Sequence, residues 1–279
     1  MPDSSSPVGV FDSGVGGLSV LQELRRLLPL ENFIYVADSG QVPYGNKPPA
    51  FILERSRTLT RFLVECGCKA VVIACNTATA SAAAALRREF SDIPVIGMEP
   101  AVKPAVAATR RKIIGVLATV GTLQSARFAA LLDQFAAEVQ VITQPAPGLV
   151  ECVEAGDLTS DATRSLVSSF VSPLVARDVD VIVLGCTHYP FLRPVIQECA
   201  GPGVALIDTG GAVARQVKRR LGEFDLDRKD GQPGTERFFT TGSPEHTAAA
   251  VRILWPASVE IDSLTEIALR RTATAPKTS

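Results

Sequence analysis

Short apolar runs alternate along the chain with segments in which apolar residues recur every three or four positions. The first pattern predicts strands, and the second predicts amphipathic helices such as the leucine-rich segment at residues 18–28. Near-continuous Val and Ile runs are typical of parallel strands that are covered on both faces and joined by helices. The predicted strands are residues 8–11, 33–37, 70–74, 95–98, 113–118, 139–142, 181–184 and 204–207. The pattern therefore predicts an α/β fold.

Two pieces of the chain resemble two later pieces at nearly the same separation. VGVFDS at residues 8–13 is similar to IGVLAT at 114–119, and VVIACNT at 71–77 is similar to IVLGCTH at 182–188. Both pairs are offset by about 110 positions. The repeat predicts two similar α/β halves. Because ligands of open α/β sheets collect at the carboxyl ends of the strands, it also predicts a binding cleft between those ends.

The charge balance narrows the classes of partner. The chain carries 28 Lys and Arg against 29 Asp and Glu, with a pI near 6.2, so no overall positive field favours nucleic acid or a membrane surface. No apolar stretch approaches the roughly 18 residues of a membrane span, and the first six residues lack the pattern of a secretory signal. We expect a cytoplasmic protein whose six cysteines are reduced.

Cys75 and Cys186 occupy matching places in the two halves. Each follows a predicted strand and precedes a predicted helix, and Asn76 and Thr77 are candidate caps for the first of these helices. A thiol at a helix N-terminus lies at the positive end of the helix dipole, which predicts a lowered thiol pKa. A pair of thiols across a cleft suits acid–base chemistry, in which one thiolate removes a proton from a carbon and the other thiol delivers one to the opposite face.

Other readings of the thiol pair stay open at this point. A redox dithiol is disfavoured because the two cysteines lack Cys-x-x-Cys spacing, and a zinc site is disfavoured because only His188 and His246 could complete it. An amino-acid-binding protein could use the same cleft without turnover. The glycine-rich loop at residues 12–17 matches neither phosphate-binding pattern but could hold a carboxylate, and the loop at 38–45 is either a connection or a ligand contact.

Several motifs, in order along the chain, resemble those of the glutamate racemases in the cofactor-independent Asp/Glu racemase family. They are FDSGVGGL at 11–18, PYG at 43–45, ACNTAT at 74–79, GVLAT at 115–119, LVECVEAG at 149–156 and GCTHYP at 185–190. The resemblance implies two pseudosymmetric α/β domains with mainly parallel sheets, which we place at residues 1–98 plus 210–279 and at 99–209. The active site is expected in the cleft between them.

The resemblance also implies an activity and its residues. Two cysteines interconvert L- and D-glutamate with no cofactor and no metal, supplying D-glutamate for peptidoglycan, and a homodimer is compatible with the family. Cys75 is expected to act on D-glutamate and Cys186 on L-glutamate; Asp12 would assist the first thiol, with His188 and Glu154 assisting the second. The implied substrate-binding residues are Asp12, Ser13, Tyr44, Gly45, Asn76, Thr77, Thr119, Thr187 and His188. The CTHYP sequence around Cys186 favours the glutamate branch over the aspartate racemases, which remain an alternative.

Overall fold

Strands and helices alternate along the computed structural model, which describes residues 2–229 and 231–265. The strands are β1 Val8–Asp12, β2 Phe33–Ala37, β3 Ala70–Ile73, β4 Val95–Ile96, β5 Ile113–Ala118, β6 Gln140–Pro145, β7 Val181–Leu184, β8 Ala205–Ile207, β9 Glu236–Thr240 and β10 Ile261–Ser263. The helices are α1 Leu18–Leu27, α2 Pro49–Glu65, α3 Asn76–Glu89, α4 Val102–Ala108, α5 Val120–Leu123, α6 Ala126–Phe135, α7 Leu149–Glu154, α8 Asp161–Val175, α9 Arg193–Ala200, α10 Gly210–Glu223 and α11 Pro244–Leu254. Short 3-10 turns lie at Tyr44–Asn46 and Tyr189–Leu192.

The strands form two sheets with the same internal order. The first sheet runs β10-β9-β2-β1-β3-β4, and the second runs β6-β5-β7-β8. Every strand pairing within the described residues is parallel. In both sheets the first strand of the unit lies between the second and the third, so β5 and β7 occupy the places of β1 and β3. The predicted α/β class with two pseudosymmetric parallel sheets is confirmed.

The strands near the site are apolar except for Asp12 at the end of β1, which suits strands covered by helices on both faces of the sheet. In the first sheet Val8 and Val10 pack into one apolar cluster, while Phe11 packs into another on the opposite face. The first of these clusters continues into the second sheet, where it includes Leu117 and Leu184. One apolar cluster therefore includes residues of β1, β3, β5 and β7.

The chain returns to the first sheet after β8. Helix α10 leads to β9, which pairs with β2, and β10 then pairs with β9 at the edge. This route is compatible with the predicted division at 98/99 and 209/210, although the domain limits themselves stay a prediction. Neither β9 nor β10 is among the predicted strands. None of the helices within residues 2–229 and 231–265 combines the length and apolar character that a membrane crossing requires.

Several strand limits differ from the predictions. Strand β6 runs to Pro145 rather than ending at residue 142, because its polar residues continue to pair with β5 at the sheet edge. Strand β4 ends at Ile96 rather than at residue 98. The polar tail at 272–279, which we predicted to be frayed, lies outside the described residues.

Candidate active site

Cys75 lies at the junction of β3 and α3. It is itself the N-cap of α3, and its Sγ accepts a hydrogen bond from the backbone N–H of Ala78 at 3.4 Å. The prediction that Asn76 and Thr77 cap this helix is therefore wrong, since both are already within its first turn. Thr77 instead uses its hydroxyl to contact Thr119 Oγ1, at 2.9 Å, at the end of β5 in the second sheet.

A buried carboxyl group lies close to the Cys75 thiol. The Cys75 Sγ–H donates to Ser13 Oγ at 3.9 Å, and Ser13 Oγ–H in turn donates to Asp12 Oδ1 at 3.4 Å. Gly17 N–H donates to Asp12 Oδ2 at 2.8 Å. Burial raises the pKa of the Asp12 carboxyl above its usual value, although the neighbouring His188 acts in the opposite direction.

The pKa of the Cys75 thiol is shifted in the direction opposite to the prediction. Burial and the nearby charge of Asp12 raise the pKa of the Cys75 thiol well above its ordinary value, and they outweigh the hydrogen bond from Ala78. The helix N-terminus is thus present, but the desolvation of a fully buried thiol dominates. At neutral pH Cys75 is accordingly a protonated thiol, which is the form of a proton donor.

A second group of hydrogen-bonded side chains surrounds Cys186 at the end of β7. His188 Nδ1 lies 3.6 Å from Cys186 Sγ, and His188 Nε2–H donates to Glu154 Oε1 at 2.7 Å. Burial acts to lower the pKa of His188, but its hydrogen bonds to Cys186 and Glu154 prevail and raise that pKa well above the ordinary value. The imidazole therefore connects the thiol to a carboxylate and can exchange a proton with it.

The glycine-rich loop after β1 covers this second group. Val15 N–H donates to Glu154 Oε1 at 2.7 Å, and Ser19 Oγ–H donates to the carbonyl of Thr187 at 2.8 Å. A Cβ at position 16 would lie 2.2 Å from His188 Nδ1, so only glycine allows this approach. A loop of the first sheet thus completes the surroundings of Cys186 in the second.

Both thiols line one narrow cavity between the sheets. The predicted site residues that line it are Ser13, Tyr44, Gly45, Cys75, Asn76, Thr77, Thr119, Cys186, Thr187 and His188. Asp12 and Glu154 are not among the lining residues: Asp12 is fully buried next to Ser13, and Glu154 approaches the cavity through His188. The structure therefore brings the predicted residues together, while their roles stay predictions.

The side chain of Asn76 is left without a partner in this cavity. Asn76 is only 4 % exposed, and neither Nδ2 nor Oδ1 has a hydrogen-bond partner in the structure. A buried amide without partners costs free energy, and such groups in native proteins need an explanation. A polar ligand that supplies both a donor and an acceptor would satisfy it.

Comparison with known proteins identifies the family. The profile of the Asp/Glu/Hydantoin racemase family matches residues 16–217. A glutamate racemase of Pseudomonas entomophila is 57% identical over 263 residues, which cover 94% of this chain and 99% of that protein. The chain belongs to the glutamate racemase family. Glutamate racemases are isomerases of class EC 5.1.1.3.

Solved glutamate racemases have the same fold. The isoform RacE1 from Bacillus anthracis superposes with a TM-score of 0.86 at 33% identity, covering 94% of this chain and 98% of that one. A glutamate racemase of Escherichia coli, solved with L-glutamate and the activator UDP-MurNAc-ala, has a TM-score of 0.81 at 33% identity and covers 93% of this chain and 98% of its own. The similarity to glutamate racemases thus extends over both sheets.

Sequence reasoning missed some residues around the cavity. Pro43, Val150 and Gly185 also line it, and each is adjacent in sequence to a predicted motif or within one. Asp38 and Arg55 do not line it but form a buried ion pair behind Tyr44. A buried acid and base that are far apart in sequence leave no periodic signal, so the sequence alone could not have paired them.

Proposed function

We propose that this chain racemises glutamate by a two-thiol mechanism. The observation that carries the proposal is the placement of Cys75 and Cys186 at equivalent strand ends of two pseudosymmetric sheets, facing one cavity. Its membership of the glutamate racemase family, and the L-glutamate bound to its E. coli relative, support glutamate as the substrate. The free state of both cysteines agrees with acid–base rather than disulfide chemistry.

In the direction from L- to D-glutamate, Cys186 acts as the base. Its thiolate takes the α-proton, so that the Cα–H bond breaks, an S–H bond forms and the electron pair moves toward the α-carboxylate. Cys75, a protonated thiol, then gives its proton to the opposite face of Cα and becomes the thiolate. The reverse reaction starts from that state with the roles exchanged. No external electron or group donor is needed.

The surrounding groups stabilise the charged species of this reaction. His188 and Glu154 form the hydrogen-bonded group next to Cys186, and Asp12 and Ser13 form the one next to Cys75. Asn76, Thr77 and Thr187 line the cavity with donors for carboxylate oxygens, where the negative charge develops in the transition state. Such fixed donors contribute most in a site that excludes water.

Racemisation in heavy water tests the proposal. L-glutamate is incubated with the enzyme in D₂O, and early product and recovered substrate are analysed by mass spectrometry. Two opposed thiols put deuterium into the D-glutamate product and leave the recovered L-glutamate unlabelled. Early label in the recovered substrate would contradict a two-base mechanism. Cys75→Ala and Cys186→Ala are expected to abolish turnover, whereas Cys199→Ala, on the outer helix α9, is the matched control.

A biological role in peptidoglycan synthesis belongs to the same proposal. D-glutamate made by this enzyme would supply the cell wall. Expression of the chain in a bacterium that requires added D-glutamate is expected to restore growth without it. The Cys186→Ala variant should fail to do so at equal protein level, and growth with that variant would contradict the link between turnover and rescue.

An anionic effector, such as the activator of the E. coli relative, is a second element of the proposal. A cavity of about 540 Å³ lies where the chain crosses between the sheets, and Arg87, Arg127, Arg219 and Arg220 line it. Burial and the nearby charges of Arg127 and Arg220 lower the pKa of Arg87, although Glu99 opposes them. Arg127 is paired with Glu99, and Arg219 and Arg220 are paired with Glu223, so the charge of Arg87 is the one that favours a phosphate-containing ligand here. UDP-MurNAc-ala should change the rate of the wild type and not that of Arg87→Gln; an equal response in both would contradict this element.

A further inference from the structure

Asp38 anchors one wall of the cavity from behind. It follows β2 and is fully buried. Its Oδ2 accepts hydrogen bonds from the Tyr44 hydroxyl at 2.5 Å and from Arg55 Nε at 3.0 Å. Its Oδ1 accepts from Arg55 Nη2 and from Thr241 Oγ1, both at 2.6 Å. The carboxylate therefore binds three separate segments: the turn at Tyr44, helix α2 and the residue after β9. Bidentate pairing with a guanidinium is among the most geometrically specific of such contacts.

The direction of the Tyr44 hydroxyl limits what this side chain can offer a substrate. Burial and the charge of Asp38 raise the pKa of Tyr44 well above its ordinary value, so the hydroxyl stays protonated. A phenol can donate one hydrogen bond, and here Asp38 accepts it. The Tyr44 hydroxyl therefore offers no hydrogen bond to a substrate carboxylate.

The turn that begins with Tyr44 touches the second sheet. A Cβ at Gly45 would lie 2.8 Å from Thr119 Cβ, and a Cβ at Gly121 would lie 3.1 Å from the Gly45 carbonyl oxygen. The Tyr44–Asn46 turn is therefore in close contact with the loop after β5. Because this contact narrows the cavity on one side, the position of the turn determines the cavity's width.

We propose that Asp38 is a positioning residue that holds the Tyr44–Asn46 turn against the second sheet and thereby sets the affinity for glutamate. Arg55 is its counter-ion and Thr241 its second anchor. None of the three lines the cavity, so their effect on substrate passes through the turn. The inference rests on the proposed function, since it concerns the same site and substrate. It assigns affinity, rather than proton transfer, to this network.

Thr241 offers a test from outside the cavity. Thr241→Val keeps the shape of the side chain and removes the hydroxyl that donates to Asp38, whereas Thr241→Ser keeps that hydroxyl. We expect Thr241→Val to raise KM for both enantiomers about three-fold, because only part of the free energy of the lost hydrogen bond to the Asp38 carboxylate acts on the substrate through the turn, with kcat within two-fold of the wild type. Thr241→Ser should behave like the wild type. Asp38→Asn, which removes the charge opposite Arg55, should raise KM at least about ten-fold.

The isotope effect and the thermal midpoint separate positioning from other roles. With glutamate deuterated at Cα, the primary isotope effect on kcat should be the same in all variants, because the proton-transfer groups are unaltered. A lower thermal midpoint with unchanged KM in Thr241→Val and Asp38→Asn would overturn the inference, as would a loss of kcat at constant KM. If Asp38→Asn fails to fold, the Thr241 pair decides alone. A wild type that does not racemise glutamate overturns the proposed function and this inference together; an active wild type with unchanged variants overturns only this inference.

Discussion

Replacing Glu154 with Gln tests the group of side chains around Cys186. The substitution keeps the shape of the side chain and removes the charge that pairs with His188 Nε2 at 2.7 Å. A hydrogen bond to a charged group contributes about 1.5–3 kcal/mol, and a neutral one about 0.5–1.5 kcal/mol. The difference of about 1–1.5 kcal/mol corresponds to roughly a ten-fold fall in kcat/KM, since each 1.4 kcal/mol is a factor of ten.

The two reaction directions constrain this result further. The enantiomers have equal free energies in water, so the equilibrium constant of racemisation is unity for every variant. The ratio of the two kcat/KM values must equal that constant, and kcat/KM must therefore fall equally for L- and D-glutamate. The two enantiomers can differ in the change of kcat and in the change of KM, but not in the change of their ratio. Circular dichroism followed from each enantiomer measures all four constants.

The pH dependence has a definite sign. The bonds to Cys186 and Glu154 raise the pKa of His188, so Glu154→Gln is expected to lower it and to move the alkaline limb of the rate profile to lower pH. A raised histidine pKa contributes stability below the unfolded value of about 6.5, which is lost as pH rises through the folded value. The difference in free energy of unfolding between the wild type and Glu154→Gln should therefore become smaller in alkaline solution.

Glu151→Gln is the matched control, because Glu151 lies on the same helix and is exposed. It should leave kcat/KM and the pH profile unchanged. Should Glu154→Gln keep kcat/KM within two-fold of the wild type, with an unmoved alkaline limb, the reasoning about His188 is refuted. A ten-fold loss of kcat/KM in both Glu154→Gln and Glu151→Gln would refute it as well, because the loss would then reflect surface charge in general.

Two further predictions concern close packing and a buried charge. Gly16→Ala places a methyl group against the His188 ring and should reduce kcat/KM about 100-fold, as expected for a displacement near 1 Å, whereas Gly203→Ala, with open space around it, should have no effect in the same assay. Lys69→Met leaves Glu31 buried without its ion-pair partner at 2.5 Å and should lower the free energy of unfolding in urea by about 3–5 kcal/mol; a loss below about 1 kcal/mol would show that the pair is not needed.

The inner strands were predictable because they are buried on both faces. The runs at β2, β5 and β7 match their predicted limits, and each is apolar throughout. The edge strand β6 carries exposed polar residues, so its apolar run ended before its backbone pairing did. Strand β10 has only three residues, none of them buried, and they give no pattern. The sequence pattern thus predicts which strands are buried. Pairing at a sheet edge depends instead on the adjacent strand, which a local pattern does not identify.

The site was predictable in its members and not in its electrostatics. Motif resemblance supplied Cys75, Cys186 and the side chains that line the cavity with them. The local reasoning about a helix N-terminus gave the wrong direction for the pKa of Cys75, because the depth of burial is a tertiary quantity. The network around Asp38 was not predicted either, since Arg55 comes from a helix that follows it and Thr241 from the far end of the chain.

The contact of the glycine-rich loop with Glu154 has a consequence for the catalytic cycle. Val15 and Gly16 lie in the loop after β1 of the first sheet, whereas the Glu154 and His188 side chains that they contact come from the half of the chain that forms the second sheet. If the sheets separate to admit or release an amino acid, the Val15 amide leaves the Glu154 carboxylate and water gains access to the His188 imidazole. Such an opening would take apart the hydrogen-bonded surroundings of Cys186, and closing would restore them.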